Sequence, residues 1–131
     1  MRFSGTTERA IEAEARRLKR SKSAIVEALA EEAMKTRRFP GIAFRGDDAG
    51  RRPHVIGTGL DVWELIELLQ NYGSAEAVVT DFPLVDHRHM RLAQRYYAEY
   101  AEEIEEAIAD NRRPLDELLE LYPFIQSPLA R

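Results

Sequence analysis

The segment between residues 39 and 61 places the strongest constraint on the fold. It reads FPGIAFRGDDAGRRPHVIGTGLD and holds five of the seven glycines and two of the six prolines in the chain. Glycine and proline interrupt regular helices, and here they separate short apolar runs. We therefore expect two short strands, at 42–45 and 54–56, joined by a polar turn into a β hairpin.

The residues before the hairpin follow a helical pattern in two pieces. Ile11, Ala15 and Leu18 recur at helical spacing behind a threonine cap at position 6 or 7. After a break at 21–23, where a serine can cap, a second apolar stripe is formed by Ile25, Val26, Leu29 and Ala33. Both stripes are narrow and rich in alanine, so we expect two chains to bury them together in a dimer.

The residues after the hairpin predict three more helices. Asp61 and Glu64 have the spacing of a capping box with an apolar stripe behind it, and Gly73 is positioned to end this helix. A short helix capped by Ser74 follows and closes before the next proline. A long last helix is expected from Asp86 to about residue 110, with a stripe of Met90, Ala93, Tyr97, Tyr100, Ile104 and Ile108. The predicted fold class is mainly α with a small β hairpin.

Composition limits the classes of protein that fit. Hydrophobic residues make up 44% of the 131 residues and charged residues 32%, which is typical of a soluble globular protein with one domain or two small ones. The chain has no cysteine, which excludes disulfides, thiolate metal sites and a cysteine nucleophile. No apolar run reaches membrane-spanning length, and the first residues lack the apolar stretch of a signal peptide. We therefore expect a cytoplasmic protein.

Charge is distributed unevenly along the chain. Residues 1–38 hold ten basic and six acidic side chains, whereas residues 97–131 hold three basic and nine acidic ones, within a net charge of −4. A basic segment on an acidic protein suggests that this segment alone meets a polyanion, although scattered surface charge would give the same numbers.

The sequence offers no constellation for catalysis. His87 and His89 are two residues apart on a predicted helix and cannot face one metal ion, and His54 lies on a predicted strand. No nucleophile elbow is present. The run 57–59, Gly-Thr-Gly, could cradle a phosphate before a helix, but the carboxylate that caps this helix favours a hairpin turn. We therefore expect a binding protein that is not an enzyme and has no metal or cofactor.

The first 38 residues resemble the ribbon-helix-helix family of DNA-binding proteins. A short strand would precede two helices, with SKSAIVEAL at the start of the second helix. The resemblance implies that two chains pair their strands in the major groove, with candidate base readers at Arg2, Ser4 and Thr6. It also implies a phosphate contact at the start of the second helix, formed by Ser21, Lys22 and Ser23.

Two alternatives stay open for DNA binding. Residues 1–38 could form an ordinary helical dimerisation hairpin that does not bind DNA. A second basic surface exists on the predicted last helix, where arginines fall at i, i+3 and i+7, namely Arg88, Arg91 and Arg95. Acidic neighbours on that helix make a solvated surface an equally good interpretation of these arginines.

A stronger resemblance covers residues 39–108. Four blocks occur in order, PGIAFR, GTGLDVWELIELL, SAEAVVTDFPL and YYAEYAEEIEEAI. They resemble a small antitoxin domain catalogued as a domain of unknown function, whose members typically read GTRIPVWDIVELL in the second block. This chain has Gly59, Leu60 and Asp61 where that pattern has arginine, isoleucine and proline. The resemblance implies a helix-turn-helix-like body and pairing with a PIN-domain ribonuclease toxin in a VapBC-type toxin-antitoxin module.

The residues after Asn111 begin a new apolar pattern. It has the spacing of a short amphipathic helix that ends at Pro123, with two apolar residues beyond the proline, and comprises Leu115, Leu118, Leu119, Tyr122, Phe124 and Ile125. If the partner is the PIN nuclease that the resemblance implies, one of three arginines would enter its acidic metal site, namely Arg112, Arg113 or Arg131. The alternative is that this helix packs on its own body or on the dimer mate.

These observations predict three segments. Residues 1–38 would form a ribbon-helix-helix-like segment for dimerisation and DNA binding, residues 39–110 a hairpin with a helix-turn-helix-like domain, and residues 111–131 a toxin-binding tail. The predicted function is that of an antitoxin that inhibits a PIN-domain ribonuclease and autoregulates its operon. The alternative is a stand-alone dimeric DNA-binding transcriptional regulator, and a small hydrolase would be a third class.

Overall fold

A computed structural model describes residues 2–47 and 50–121, with the side chains of the last helix described as far as residue 112. Within these ranges six helices surround a three-stranded antiparallel sheet, so the predicted mainly α fold with a small β hairpin is confirmed. The elements are α1 (Gly5–Leu18), α2 (Lys22–Arg38), β1 (Ile42–Arg45), β2 (Arg52–Val55), β3 (Leu60–Asp61), α3 (Val62–Tyr72), α4 (Ala75–Asp81), α5 (His87–Glu99) and α6 (Ala101–Leu121). None of the described helices is both long enough and apolar enough to cross a membrane.

Helices α1 and α2 form a hairpin that we call the head, residues 2–38. The cap of α1 is Ser4 and not the expected Thr6 or Thr7, since the Ser4 hydroxyl oxygen accepts a hydrogen bond from the backbone N–H of Thr7 at 3.2 Å. Ser21 caps α2 in the same way. The head has a core of its own, in which Phe3, Leu18 and Val26 pack against a buried set of Ile11, Ala15 and Ile25.

The start of the head differs from the expected ribbon. Residues 2–4 form no strand, and Gly5 and Thr6 already lie in α1. The serine cap gives the first helical amides a partner within the chain, whereas a strand here would need a second chain to pair with. The expected buried face of α2 is also only partly right, because Ile25 is buried but Leu29 and Ala33 are exposed.

The sheet has the order β1-β2-β3. The predicted hairpin pairs β1 with β2, with Ile42 opposite Val55. The short strand β3 was not predicted, and it makes the Gly-Thr-Gly run the turn between β2 and β3, as the hairpin-turn interpretation requires. Thr58 holds this turn, because its hydroxyl donates to the carbonyl of Val55 at 2.8 Å and accepts from the N–H of Leu60 at 3.0 Å.

The expected caps of α3 and α4 are confirmed. Asp61 and Glu64 form the capping box of α3, Gly73 ends that helix with φ 84°, and Ser74 caps α4. The sheet and helices α3 to α6 enclose the larger core, which we call the core of the body, residues 39–112. Its fully buried side chains include Ile42, Val55, Val62, Leu65, Met90, Tyr96 and Ile104.

The predicted long last helix is wrong, because it is divided into α5 and α6. Tyr100 leaves the helical conformation at φ −123° and ψ 42°, and its ring packs against Tyr96 at a centroid distance of 4.8 Å and Phe39 at 6.1 Å. The helix is therefore interrupted at this single residue, and α6 begins directly after it. Tyr96 is the fully buried tyrosine, whereas the sequence pattern had favoured Tyr97.

Helix α6 also differs from the expected break at residue 111. It runs without interruption through Pro114 to Leu121, so the predicted short tail helix is the continuation of α6. Its first half is built into the body, where Ile104, Ala107 and Ile108 are buried.

Candidate nucleic-acid and partner interfaces

The head residues predicted to read DNA do not lie side by side on a strand. Arg2 is exposed ahead of α1, Ser4 is occupied as the cap of that helix, and Thr6 lies within it. Their alternation in sequence therefore does not produce one common face in the described chain.

The predicted phosphate contact at the start of α2 is largely engaged in the head. The Ser21 oxygen accepts from the N–H of Ala24 at 3.1 Å. The Lys22 ammonium pairs with the carboxylates of Glu8 and, at 3.6 Å, Glu12. The hydrogen bond to Glu8 raises the pKa of Lys22 above its usual value. Ser23 is exposed. The positive charge at this end of α2 is thus matched by two carboxylates of α1.

The second basic surface does come together in the structure. Helix α5 buries Met90, Ala93 and Tyr96 on one side. Its opposite side is exposed and carries His87, Arg88, Arg91, Gln94, Arg95, Ala98 and Glu99. Glu99 is paired with Arg38 of α2. The three arginines of this set line one surface cleft of about 430 Å³, together with Ile56 and Leu92.

The exposed face of α5 is not neutralised by the body. None of the ion pairs formed by the described residues involves Arg88, Arg91 or Arg95, whereas Arg45 and Arg51 are each paired with a carboxylate. Arg88 lies near the helix cap, and the guanidinium of Arg95 lies 6.0 Å from the centroid of the Phe39 ring. Three positive charges therefore share one side of an acidic protein.

The start of α5 is held by a capping box of unusual composition. The Asp86 carboxylate accepts from the N–H of His89 at 2.9 Å, and His89 Nδ1 accepts from the N–H of Asp86 at 3.1 Å. The hydrogen bond from the His89 backbone holds the pKa of Asp86 below its usual value. His89 is therefore a capping residue, a role that its helical spacing to other histidines could not indicate.

Two glycines, Gly41 and Gly57, lie next to side chains of α5. Gly41 has φ +103°, and a Cβ built there would lie 2.8 Å from the Leu92 Cδ2 atom. A Cβ at Gly57 would lie 3.6 Å from Nε2 of His89. At this φ a residue with a Cβ would be strained, and the Leu92 side chain would also have to move, so position 41 favours glycine.

Of the predicted toxin-binding arginines, Arg112 is the one whose side chain the structure describes. Arg112 pairs with the body, since its Nε lies 3.9 Å from Oε2 of Glu67. Glu67 is only 5% exposed, and this oxygen has no hydrogen-bond partner among the described residues. The sequence analysis missed Glu67, although a carboxylate within the apolar run LIELL was the signal for it. Arg112 thus anchors α6 to α3.

The other predicted toxin-binding residues are placed only in part. Helix α6 includes four of them, namely Arg113, Leu115, Leu118 and Leu119. The remaining predicted positions lie outside the described residues, namely Tyr122, Phe124, Ile125 and Arg131.

The histidines and carboxylates do not assemble a metal site in the described part of the chain. No group of three or more potential ligands there could hold an ion. His54 lies on β2 with an unpartnered Nδ1, while His87 and His89 lie at the start of α5.

Comparison with known proteins gives one match. Residues 44–97 match a family model described as "Protein of unknown function (DUF433)". The matched segment runs from β1 through most of α5 and includes the capping boxes of α3 and α5. No curated protein and no solved structure matches the chain.

Proposed function

We propose that the protein is the antitoxin of a type II, VapBC-like toxin-antitoxin module. It binds and inhibits a PIN-domain ribonuclease through the end of α6, and as a dimer it binds DNA and represses its own operon. It acts as a binding protein, in the cytoplasm where the ribonuclease meets RNA. The observation that carries the proposal is the continuation of α6 past its anchor on the body.

The anchored half of α6 supports this role. Ile104 and Ile108 are buried in the core of the body, and Arg112 is paired with Glu67. These contacts use up the first three turns of the helix, which then continues to Leu121. A helix fixed at one end is a suitable element to present a binding sequence, because little of its backbone entropy is lost when it binds.

The pattern along α6 supports a partner for its second half. By the helical period, positions 108, 115 and 119 fall on one face, so the stripe that the body buries continues in sequence beyond the anchor. Such a stripe is what a helix presents to an apolar groove on a partner protein. With Arg112 engaged by Glu67, the arginine proposed to reach the acidic site of the toxin is Arg113 or Arg131.

Exposed side chains on α2 support the dimer. Leu29 is 50% exposed and Met34 is 65% exposed, while the head buries only three side chains in its own core among the described residues. A second copy of the head would cover these side chains, as two-chain helical DNA-binding segments do.

Growth rescue by co-expression tests the toxin-binding role. The partner is the product of the reading frame next to the one that encodes this chain, expressed alone and then with this protein. We expect the full chain to restore growth and to co-purify with that product. A chain that ends at Arg112 keeps the Glu67 anchor, so we expect it to stay folded but fail to rescue.

Point variants distinguish binding from folding. Leu115→Asp combined with Leu119→Asp introduces charge into the stripe and should abolish rescue. Glu117→Gln, which falls on the opposite face by the helical period, is the matched control and should rescue fully. Rescue by the truncated chain, or absence of toxicity in the neighbouring product, would overturn the antitoxin proposal.

A further inference from the structure

The strongest unassigned feature of the molecule is the exposed side of α5. We propose that this side, the α5 face formed by His87, Arg88, Arg91, Gln94 and Arg95, binds duplex DNA in the major groove. This inference does not depend on the toxin, and it moves the DNA contact from the head, where the proposed function has it, to the body.

The composition of the α5 face fits a nucleic acid. None of its three arginines forms an ion pair among the described residues, in a protein whose net charge is −4, although Arg88 lies close enough to Asp86 to act on its charge. Guanidinium groups match phosphate oxygens in geometry and charge. Gln94 and the arginines are also the side-chain types that read adenine and guanine edges in the major groove. The face therefore carries both phosphate contacts and candidate base readers.

The architecture behind the α5 face fits the same partner. Helices α4 and α5 are joined by five residues, 82–86, and both pack against α3. This is the arrangement by which helix-turn-helix proteins present their second helix to DNA. The buried side of α5, with Met90, Ala93 and Tyr96, holds the helix firmly on the body.

The dimensions favour duplex DNA over duplex RNA. A helix of the 13 residues of α5 is about 20 Å long and about 10–12 Å wide. The major groove of B-form DNA is about 12 Å wide and admits such a helix. The major groove of A-form RNA is deep and too narrow for side chains to read. The first two turns of α5, which carry Arg88 and Arg91, are the part that would reach base edges.

The head is less suited to this task in the described structure. Lys22 is paired with Glu8 and Glu12, Ser4 is engaged as a cap, and Thr6 is helical. A dimer formed through the heads would still present two α5 faces, one from each chain, to two half-sites of a symmetric operator.

Fluorescence anisotropy of the purified full-length protein tests the inference without any toxin. The probes are labelled duplexes of about 30 base pairs, three helical turns, that tile the region upstream of the reading frame. An unrelated duplex and the matching RNA duplex, both of equal length, serve as controls. We expect at least one upstream duplex to bind more tightly than both controls.

Variants then assign the surface. Replacing Arg88, Arg91 and Arg95 together by alanine should weaken binding by about 1,000-fold, at roughly tenfold per lost charged contact. The slope of log K against log salt should fall by about 0.9 for each phosphate contact removed. Arg37→Ala removes one exposed arginine of α2 and is the control for the loss of a single positive charge elsewhere, with binding expected to be unchanged. Arg2→Ala and Lys22→Ala report on the head.

Single variants guard against loss of the fold. Arg91→Lys keeps the charge but not the planar guanidinium, so it should preserve binding to all duplexes and reduce the preference for the upstream one. Arg91→Gln should weaken binding to every duplex. Unchanged affinity in the triple variant, or equal loss in Arg37→Ala, would overturn the inference, as would tighter binding of duplex RNA than of DNA. Loss of binding in Arg2→Ala and Lys22→Ala alone would return the contact to the head.

Discussion

The head and the body differ in how much of their apolar surface they bury within one chain. In the described structure the core of the head contains three buried side chains, whereas that of the body contains thirteen. Helices of both units begin at side-chain caps, so capping does not explain the difference. Stability on this scale comes from tertiary burial, at about 25 cal/mol for each Å² of apolar surface.

The two units therefore differ in whether they need a second chain. The body closes its core with helices from the far end of the chain, because α6 packs against α3. Among the described residues no such element closes the core of the head, and α2 leaves Leu29 and Met34 exposed. We therefore expect the body to fold from one chain and the head to become fully stable only with a second copy.

Lys35 of the head is largely buried where the head contacts the body. The Lys35 side chain is 12% exposed, and its ammonium lies 3.0 Å from Glu103 and 4.5 Å from the centroid of the Tyr100 ring. Glu103 also accepts from the hydroxyl of Tyr96 at 3.0 Å. Burial, with the charge of Glu103, raises the pKa of Tyr96 above its usual value.

The largest effect is expected in the core of the body. Tyr96→Ala removes a fully buried ring and should lower the free energy of unfolding by about 3–5 kcal/mol. Tyr96→Phe keeps the ring and removes only the hydroxyl, so it should cost about 0.5–1.5 kcal/mol. Urea unfolding followed by circular dichroism measures both. A small effect of Tyr96→Ala would contradict the view that the body is the self-sufficient unit.

The next largest effect is expected on assembly. Leu29→Asp and Met34→Asp should each weaken a dimer formed through the heads by roughly tenfold or more, because each charge replaces buried apolar surface. Light scattering across a concentration series measures the shift. The matched control is Leu84→Asp, in the body, which alters a side chain that is 68% exposed and should leave the dimer intact. A wild-type protein that is monomeric at micromolar concentration would contradict the expectation that the head needs a second copy.

A smaller effect is expected where the units meet. Lys35→Met should lower the free energy of unfolding by about 1–2 kcal/mol, since it removes the contacts to Glu103 and to the Tyr100 ring. Glu103→Gln and the double variant complete a mutant cycle. Additive losses would show that these two side chains do not interact, which would leave the ion pairs Arg38–Glu99 and Arg51–Glu32 as the polar contacts between head and body.

The smallest effect is expected at the cap of α5, and it depends on pH. The pKa of Asp86 is lowered in the folded protein, so its contribution to stability is present above about pH 4 and is lost as pH falls through the lowered value. The difference in Tm between the wild type and Asp86→Ala should therefore shrink in acid. Ser74→Ala removes a hydroxyl cap that does not titrate, and its difference should not follow this pH dependence. A constant difference for Asp86→Ala would contradict this assignment.

Local features of the fold were predictable because each depends on neighbours in sequence. The capping box of Asp61 and Glu64, the end of α3 at Gly73 and the serine caps need only three or four residues to form. The division between α5 and α6 was not predictable, because the ring of Tyr100 turns toward Phe39, sixty-one residues earlier in the chain. The same holds for Glu67, whose partner Arg112 lies on another helix.

The candidate DNA surface, too, was only partly predictable from the sequence. The spacing of Arg88, Arg91 and Arg95 was visible in the sequence, but the acidic residues near them left solvation equally plausible. Tertiary structure separates the two groups, since Glu99 pairs with Arg38 and Glu103 with Lys35, both on α2. The arginines thereby remain together over one cleft without an ion pair among the described residues.

The sequence by itself determined the starts of helices α2 to α5, the hairpin and the mainly α class, because hydrogen bonds close to each residue and the apolar period decide them. Only the tertiary structure decided which charges are neutralised and which stay exposed, where the last helix divides, and which arginine anchors α6. These outcomes depend on pairs of side chains that are distant along the chain, and their energies arise only when packing brings them within a few ångströms.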